Sequence, residues 1–179
     1  MLKESLIYFS EMVLKYFDDF LKQYGFKLVK NAASEKWFWD IIYVKDDLYI
    51  EFSANTHFKD APEHFVLKLG EGSTEWPDVD WNAVTLWRMA DEIEKNSETD
   101  NYGLADNQPF IENSMKRAKE DLIKYNGGFL EGKLDVFIKA RIKMNKNREP
   151  YKIHEPNGDG TYHTRYDEES SKLKDKYSE

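Results

Sequence analysis

The chain contains no cysteine, which excludes disulfides, thiolate metal sites and a cysteine nucleophile together. No apolar run approaches the roughly 20 residues that a membrane span requires. The first residues, interrupted by Lys3, Glu4 and Glu11, are too polar for the core of a signal peptide. A soluble, cytoplasmic protein of a reducing compartment is therefore expected. The glycines form no phosphate cradle: Gly70-Glu71-Gly72 lacks a third glycine and precedes carboxylates that would repel phosphate. No serine, threonine or lysine stands in a nucleophile motif. Glu131-Gly132-Lys133 shares the Glu-x-Lys spacing of metal-dependent nucleases, but at a predicted helix start rather than on a strand, so it is set aside. No cofactor is expected.

What is present is enough for a folded core. Of 179 residues, 40% are apolar and 15% aromatic, which fits one domain with at most a small appendage. The boundary is expected near Pro150, with residues 1–150 as the core and 151–179 as a hairpin and charged tail. The net charge of −8 is unevenly placed. From Glu71 to Glu112 there are eleven acids against Arg88 and Lys95, a local −9, which leaves +1 for the remainder. Lys133 to Lys152 holds seven bases against Asp135 and Glu149, a local +5. The acidic middle argues against nucleic acid as a partner. The basic stretch reads as a solvated helix face or as a partner for the protein's own acids.

Residues 36–69 organise the chain as three strands, 36–44, 48–53 and 64–69. The first has Trp37, Trp39, Ile41 and Tyr43 on one face and Phe38, Ile42 and Val44 on the other. A strand apolar on both sides must sit centrally with both faces partly covered. Short connections favour an antiparallel meander. Before it, Leu2, Leu6, Phe9, Val13, Phe17, Phe20 and Tyr24 mark a helix over 2–24. Gly25 follows as its left-handed end and Phe26 as the apolar contact. A short strand at 26–30 and a loop at 31–35 come next, and 55–63 is a further loop.

A second helix is expected over 80–95, with Ala83, Leu86, Trp87, Ala90 and Ile93 inside and Asp78 or Asp80 as cap. After a polar loop at 96–103, a third follows Asp106. It tolerates Pro109 in its first turn and buries Ile111, Met115, Ala118, Leu122 and Tyr125 until Gly127-Gly128 ends it. A fourth spans 129–144 through Leu130, Leu134, Phe137 and Ile138. Beyond Pro150, segments 151–156 and 161–166 flank Asn157-Gly158-Asp159-Gly160, a hairpin signal. Residues 167–179 read as a frayed tail or a short surface helix. The fold class is thus α+β: a single domain with an antiparallel meander, an N-terminal helix, three later helices and a C-terminal hairpin.

Trp76-Pro77-Asp78-Val79-Asp80-Trp81 is the main candidate site. Two indoles beside carboxylates, opening an acidic helix that carries Asp91 and Glu92, could anchor and steer a basic protein. The plainer reading puts Trp76 and Trp81 in the core and the aspartates at a helix cap. Depending on the turn, His154 could face His163 and share a divalent ion, though no third ligand is evident, so no metal is expected. Glu51, His57 and His64 could line a small hydrolytic pocket beside the 55–63 loop. Glu71 with Glu75, or Glu75 with Asp78, could act as a glycosidase pair.

In size, acidity, lack of cysteine and element order the chain resembles the immunity proteins of bacterial toxin systems. That resemblance implies a cytosolic binder that neutralises a cationic toxin, often a nuclease, by covering its active face, and it transfers no functional residue. A non-catalytic domain that binds a basic protein is therefore expected. A small enzyme at Glu51, His57 and His64, or a homodimer burying Trp76 and Trp81, are the alternatives.

Overall fold

The first helix keeps its apolar side inward only by changing pitch. In the computed structural model, which describes residues 3–57, 63–95, 102–104 and 108–179, α1 (Glu4–Val13) passes through a π-helical turn, Leu14–Asp18, into α2 (Asp19–Gln23). Val13, Phe17 and Leu21 follow at intervals of four and are all fully buried. An α-helix drifts by about 40° at each such step, and the wider π turn absorbs the drift. The expected stripe through Phe20 and Tyr24 is thereby corrected: Leu21 takes the inward place, and both aromatics lie at the margin of the core. Leu2 lies outside the described residues. Gly25 (φ 88°) ends the helix as expected. Its amide donates to the Lys22 carbonyl and that of Phe26 to the Leu21 carbonyl, while Phe26 is fully buried.

Four long strands follow, β1 (Lys27–Glu35), β2 (Phe38–Lys45), β3 (Leu48–Asn55) and β4 (His64–Glu71), paired antiparallel in that order. β2 is interior, and neighbouring Ile41, Ile42 and Tyr43, which point to alternate faces, are all buried. On one face, Ile41, Tyr43, Ile50, Phe52, Leu67 and Leu69 share the main core with α1 and later helices. On the other, Ile42 and Tyr49 pack with Ala83, Val44 and Val79.

Residues 31–35, expected as loop, extend β1 instead: Asn31 pairs with Ile41 and Ala33 with Trp39. Their polar side chains carry no strand signal because the backbone ladder to β2 holds them. This edge strand shifts register around Val29 and again around Ser34, which twists an exposed edge away from stray pairing.

The single helix expected over 80–95 is corrected to three elements: α3 (Val79–Asn82), β5 (Ala83–Thr85) and α4 (Leu86–Ile93). β5 extends the sheet beside β4, where Val84 pairs with Leu69 and is fully buried. The break resets the helical face. Met89 joins Leu86 and Ala90 inside, Trp87 is half-buried and Ile93 is exposed. A two-residue strand, β6 (Tyr102–Gly103), pairs elsewhere along β4. The rest of the loop placed at 96–103, residues 58–62 of the loop at 55–63, and Asp106 lie outside the described residues.

α5 (Gln108–Leu130) buries Ile111, Met115, Ala118, Leu122 and Tyr125 as expected. It does not stop at Gly127-Gly128 but kinks at Asn126 (φ −137°, ψ 20°) and continues for a turn. Phe129 and Leu130 therefore belong to it, and the next helix, α6 (Asp135–Lys146), starts later than expected. The hairpin, β7 (Lys152–Pro156) and β8 (Tyr162–Tyr166), forms its own two-stranded sheet. α7 (Glu168–Tyr177) realises the helical option for the tail, its first turn capped by Asp167, which accepts from the Ser170 amide at 2.7 Å. The α+β class stands as expected, with more interruptions than the periodicity shows.

The π turn makes a sharp prediction. Leu21→Ala should cost about 3 kcal/mol and Phe20→Ala no more than about 1 kcal/mol, measured by urea unfolding. Reversal of that order would place the stripe where unbroken helical periodicity puts it.

Candidate functional site

The two tryptophans of the 76–81 hexapeptide have opposite fates. Trp76 precedes α3 and is 71% exposed, whereas Trp81, on α3, is fully buried. Trp81 lies in a small cluster with Leu173 and Tyr177 of α7. That corrects its expected role as a surface anchor: in this fold it is core, covered by a helix some ninety residues further along the chain.

Tyr151 joins the two. Its ring stacks on Trp76 (centroids 5.9 Å, planes 16° apart) and meets Trp81 edge-on at 6.0 Å. Its hydroxyl donates to Asp80 Oδ2, and its amide donates to Ser170 Oγ at 3.0 Å. The Arg148 guanidinium lies over Trp81 at 4.4 Å and donates to the Asp80 carbonyl and, at 3.4 Å, to its carboxylate. Trp76 is thus an exposed indole on a rigid base. Burial first, and the bond to Asp80 second, push the Tyr151 phenol up to about 12.

The acids divide into engaged and available. Asp80 is taken by Tyr151 and Arg148. Glu71 receives Arg141 at 2.7 Å. Glu92 receives Lys139 at 2.6 Å and Lys143 at 2.8 Å, and these bonds hold its carboxyl below the usual range. Glu92 and the exposed Asp91 sit on α4, where a hollow of about 280 Å³ opens against α6. They belong to a different element from Trp76. Asp78 caps α3 by position only, with no side-chain bond to the first turn. Among the described residues, neither Glu75 nor Asp78 forms an ion pair. The basic stretch is thus the internal partner of three acids of the acidic one, Glu71, Asp80 and Glu92, which is the second of the two readings it allowed.

The other candidates do not assemble. Glu51 pairs with Lys68 in the ladder and His64 with Asn55, so four residue steps separate them along the strands, about 13 Å. The Glu51 carboxylate accepts from Lys68 at 3.2 Å. His57 meets Trp37 edge-on at 5.7 Å. In the hairpin, a five-residue connection puts His154 opposite Thr164 and His163 opposite Glu155. The imidazoles therefore point to opposite faces, and the shared-ion arrangement fails by one residue of register. Among the described residues no three His, Asp or Glu side chains are grouped to hold a metal.

Sequence reasoning missed Tyr151, Arg148 and Ser170, which hold the site from beyond residue 147. Nothing local to the hexapeptide signals them. No protein-family model, curated protein or solved structure matches the chain.

A phenol raised above its unfolded value of about 10 contributes stability that is complete below that pH and is lost as pH climbs towards 12. Tyr151→Phe should therefore shallow the loss of stability between about pH 10 and 12, and remove one late step from the tyrosinate absorbance titration. Loss of a step near the ordinary value of about 10 instead would mean that Tyr151 is neither buried nor held by Asp80.

Proposed function

We propose that the chain is a non-catalytic domain that binds a basic protein, with Trp76 as its anchor and Glu75 and Asp78 as its steering charges. The observation that carries this reading is the Trp76 ring, 71% exposed yet stacked on a tyrosine that is itself tied to two other elements. A large ring ordered in advance of binding loses little freedom on docking, which is what an interface hot spot requires. Among the described residues neither flanking carboxylate forms an ion pair, and the chain carries −8 overall, so a cationic partner would be drawn to this face. The specific form we favour is an immunity-type inhibitor of a basic bacterial toxin, supported by size and acidity.

Capture from the native host followed by surface plasmon resonance tests the reading. Trp76→Ala should speed dissociation by about thirtyfold, the equivalent of about 2 kcal/mol. Glu75→Gln with Asp78→Asn should slow association and flatten its salt dependence. Salt-indifferent association, or a concentration-dependent dimer that Trp76→Ala abolishes in light scattering, would contradict it.

A further inference from the structure

α7 is attached by little. Its buried side chains are Ser170, Leu173 and Tyr177, and the last two meet Trp81 in a cluster separate from the main core. Its polar ties are Ser170 Oγ, which accepts from the Tyr151 amide, the amide of its cap Asp167, which donates to the Tyr151 carbonyl at 2.8 Å, and the Tyr177 carbonyl, which accepts from Asn145 Nδ2 at 3.2 Å. The Arg141 guanidinium adds a contact over the Tyr177 ring at 5.0 Å.

Against these, the seam leaves buried polar atoms unmet. Trp81 Nε1, Arg141 Nε, Asn145 Oδ1 and Ser178 Oγ have no hydrogen-bond partner. Each belongs to a residue that touches α7 or ends it. Unmet buried groups offset what the apolar contacts gain. A ten-residue helix is also shorter than the length, about 12–15 residues, at which helices begin to persist alone. Closure of α7 is therefore finely balanced.

We propose that α7 is a displaceable clasp over a helix-binding groove, and that the groove's other occupant is a partner helix with two apolar anchors one turn apart and a cation beside the second. This rests on the partner-binding reading above and extends its surface. α7 shows what fits: Leu173 and Tyr177 are one turn apart, and Lys176 stands beside the second. The Lys176 ammonium lies 4.6 Å from the centre of the Tyr177 ring, and a bond to Tyr177 first, with the charge of Asp78 adding to it, holds it above its usual range. With the clasp lifted, Trp81, Tyr151 and Trp76 form one continuous aromatic face, since Tyr151 already touches both indoles.

Hydrogen exchange on the full chain tests this without the partner. The α7 amides and the Trp81 indole N–H should exchange together, at least about tenfold faster than the amides of β3. Leu173→Asp should speed the Trp81 exchange about tenfold further and leave β3 protected. A synthetic peptide of the sequence 167–179 should then restore protection of Trp81 in that variant, and the same peptide with Lys176→Glu should do so about tenfold more weakly. Exchange of α7 in step with β3, loss of the whole fold in Leu173→Asp, no protection by the peptide, or equal protection by both peptides would each overturn the proposal. Trp76 is intact throughout, so failure here leaves the anchor reading standing, and failure of the anchor would not disturb these rates.

Discussion

The charge that this molecule presents to solvent is set by how α6 and Arg148 just beyond it meet the acidic middle of the chain. Arg141 takes Glu71, Lys139 and Lys143 share Glu92, and Arg148 holds Asp80. No single one of these bonds needs to be strong: pairs with an exposed lysine contribute about 0–1 kcal/mol. Their effect is on the surface rather than on stability. A stretch that carries −9 in sequence presents far less charge to solvent at these positions, and what stays available beside Trp76 is Glu75 and Asp78.

The same meeting decides the fate of the indoles. Arg148 covers one side of Trp81, and Leu173 and Tyr177 of α7 cover another. Trp76, five residues earlier, has Tyr151 stacked against it and is 71% exposed. A hexapeptide that reads as one aromatic and acidic patch is therefore split by contacts from beyond residue 147. Its outer half stays in water, and its inner half becomes the seat of a helix.

Where the signal was local, the sequence was legible. α5 shows its stripe because five apolar residues at helical spacing all face one core, and Gly25-Phe26 ends α2 by its own chemistry. β2 is visible as a run apolar on both faces, and β3 and β4 through alternation. What stayed hidden depends on partners distant in the chain. Ala83–Thr85 resembles helix until β4 offers an edge. Asn31 to Ser34 lack any strand composition and are held by β2. The π turn shows only as Leu21 replacing Phe20. The hairpin was foreseen, but its register hung on whether the connection held two, four or five residues, and that one step separates His154 from His163. Trp76 stands out in the sequence, whereas Tyr151, which stacks beneath it, carries no local signal.

The central claim is that α6 neutralises the acidic middle from within, and Glu92 is where it is most exposed to test. Its carboxyl ¹³C shift, followed through a pH titration, should show a midpoint below the ordinary glutamate range, because hydrogen bonds from Lys139 and then Lys143 favour the charged form. In the Lys139→Met, Lys143→Met double variant that midpoint should move back up. Should Glu92 titrate alongside glutamates in open solvent and ignore the loss of both lysines, the internal pairing would not exist in solution, and the acidic middle would face the solvent whole.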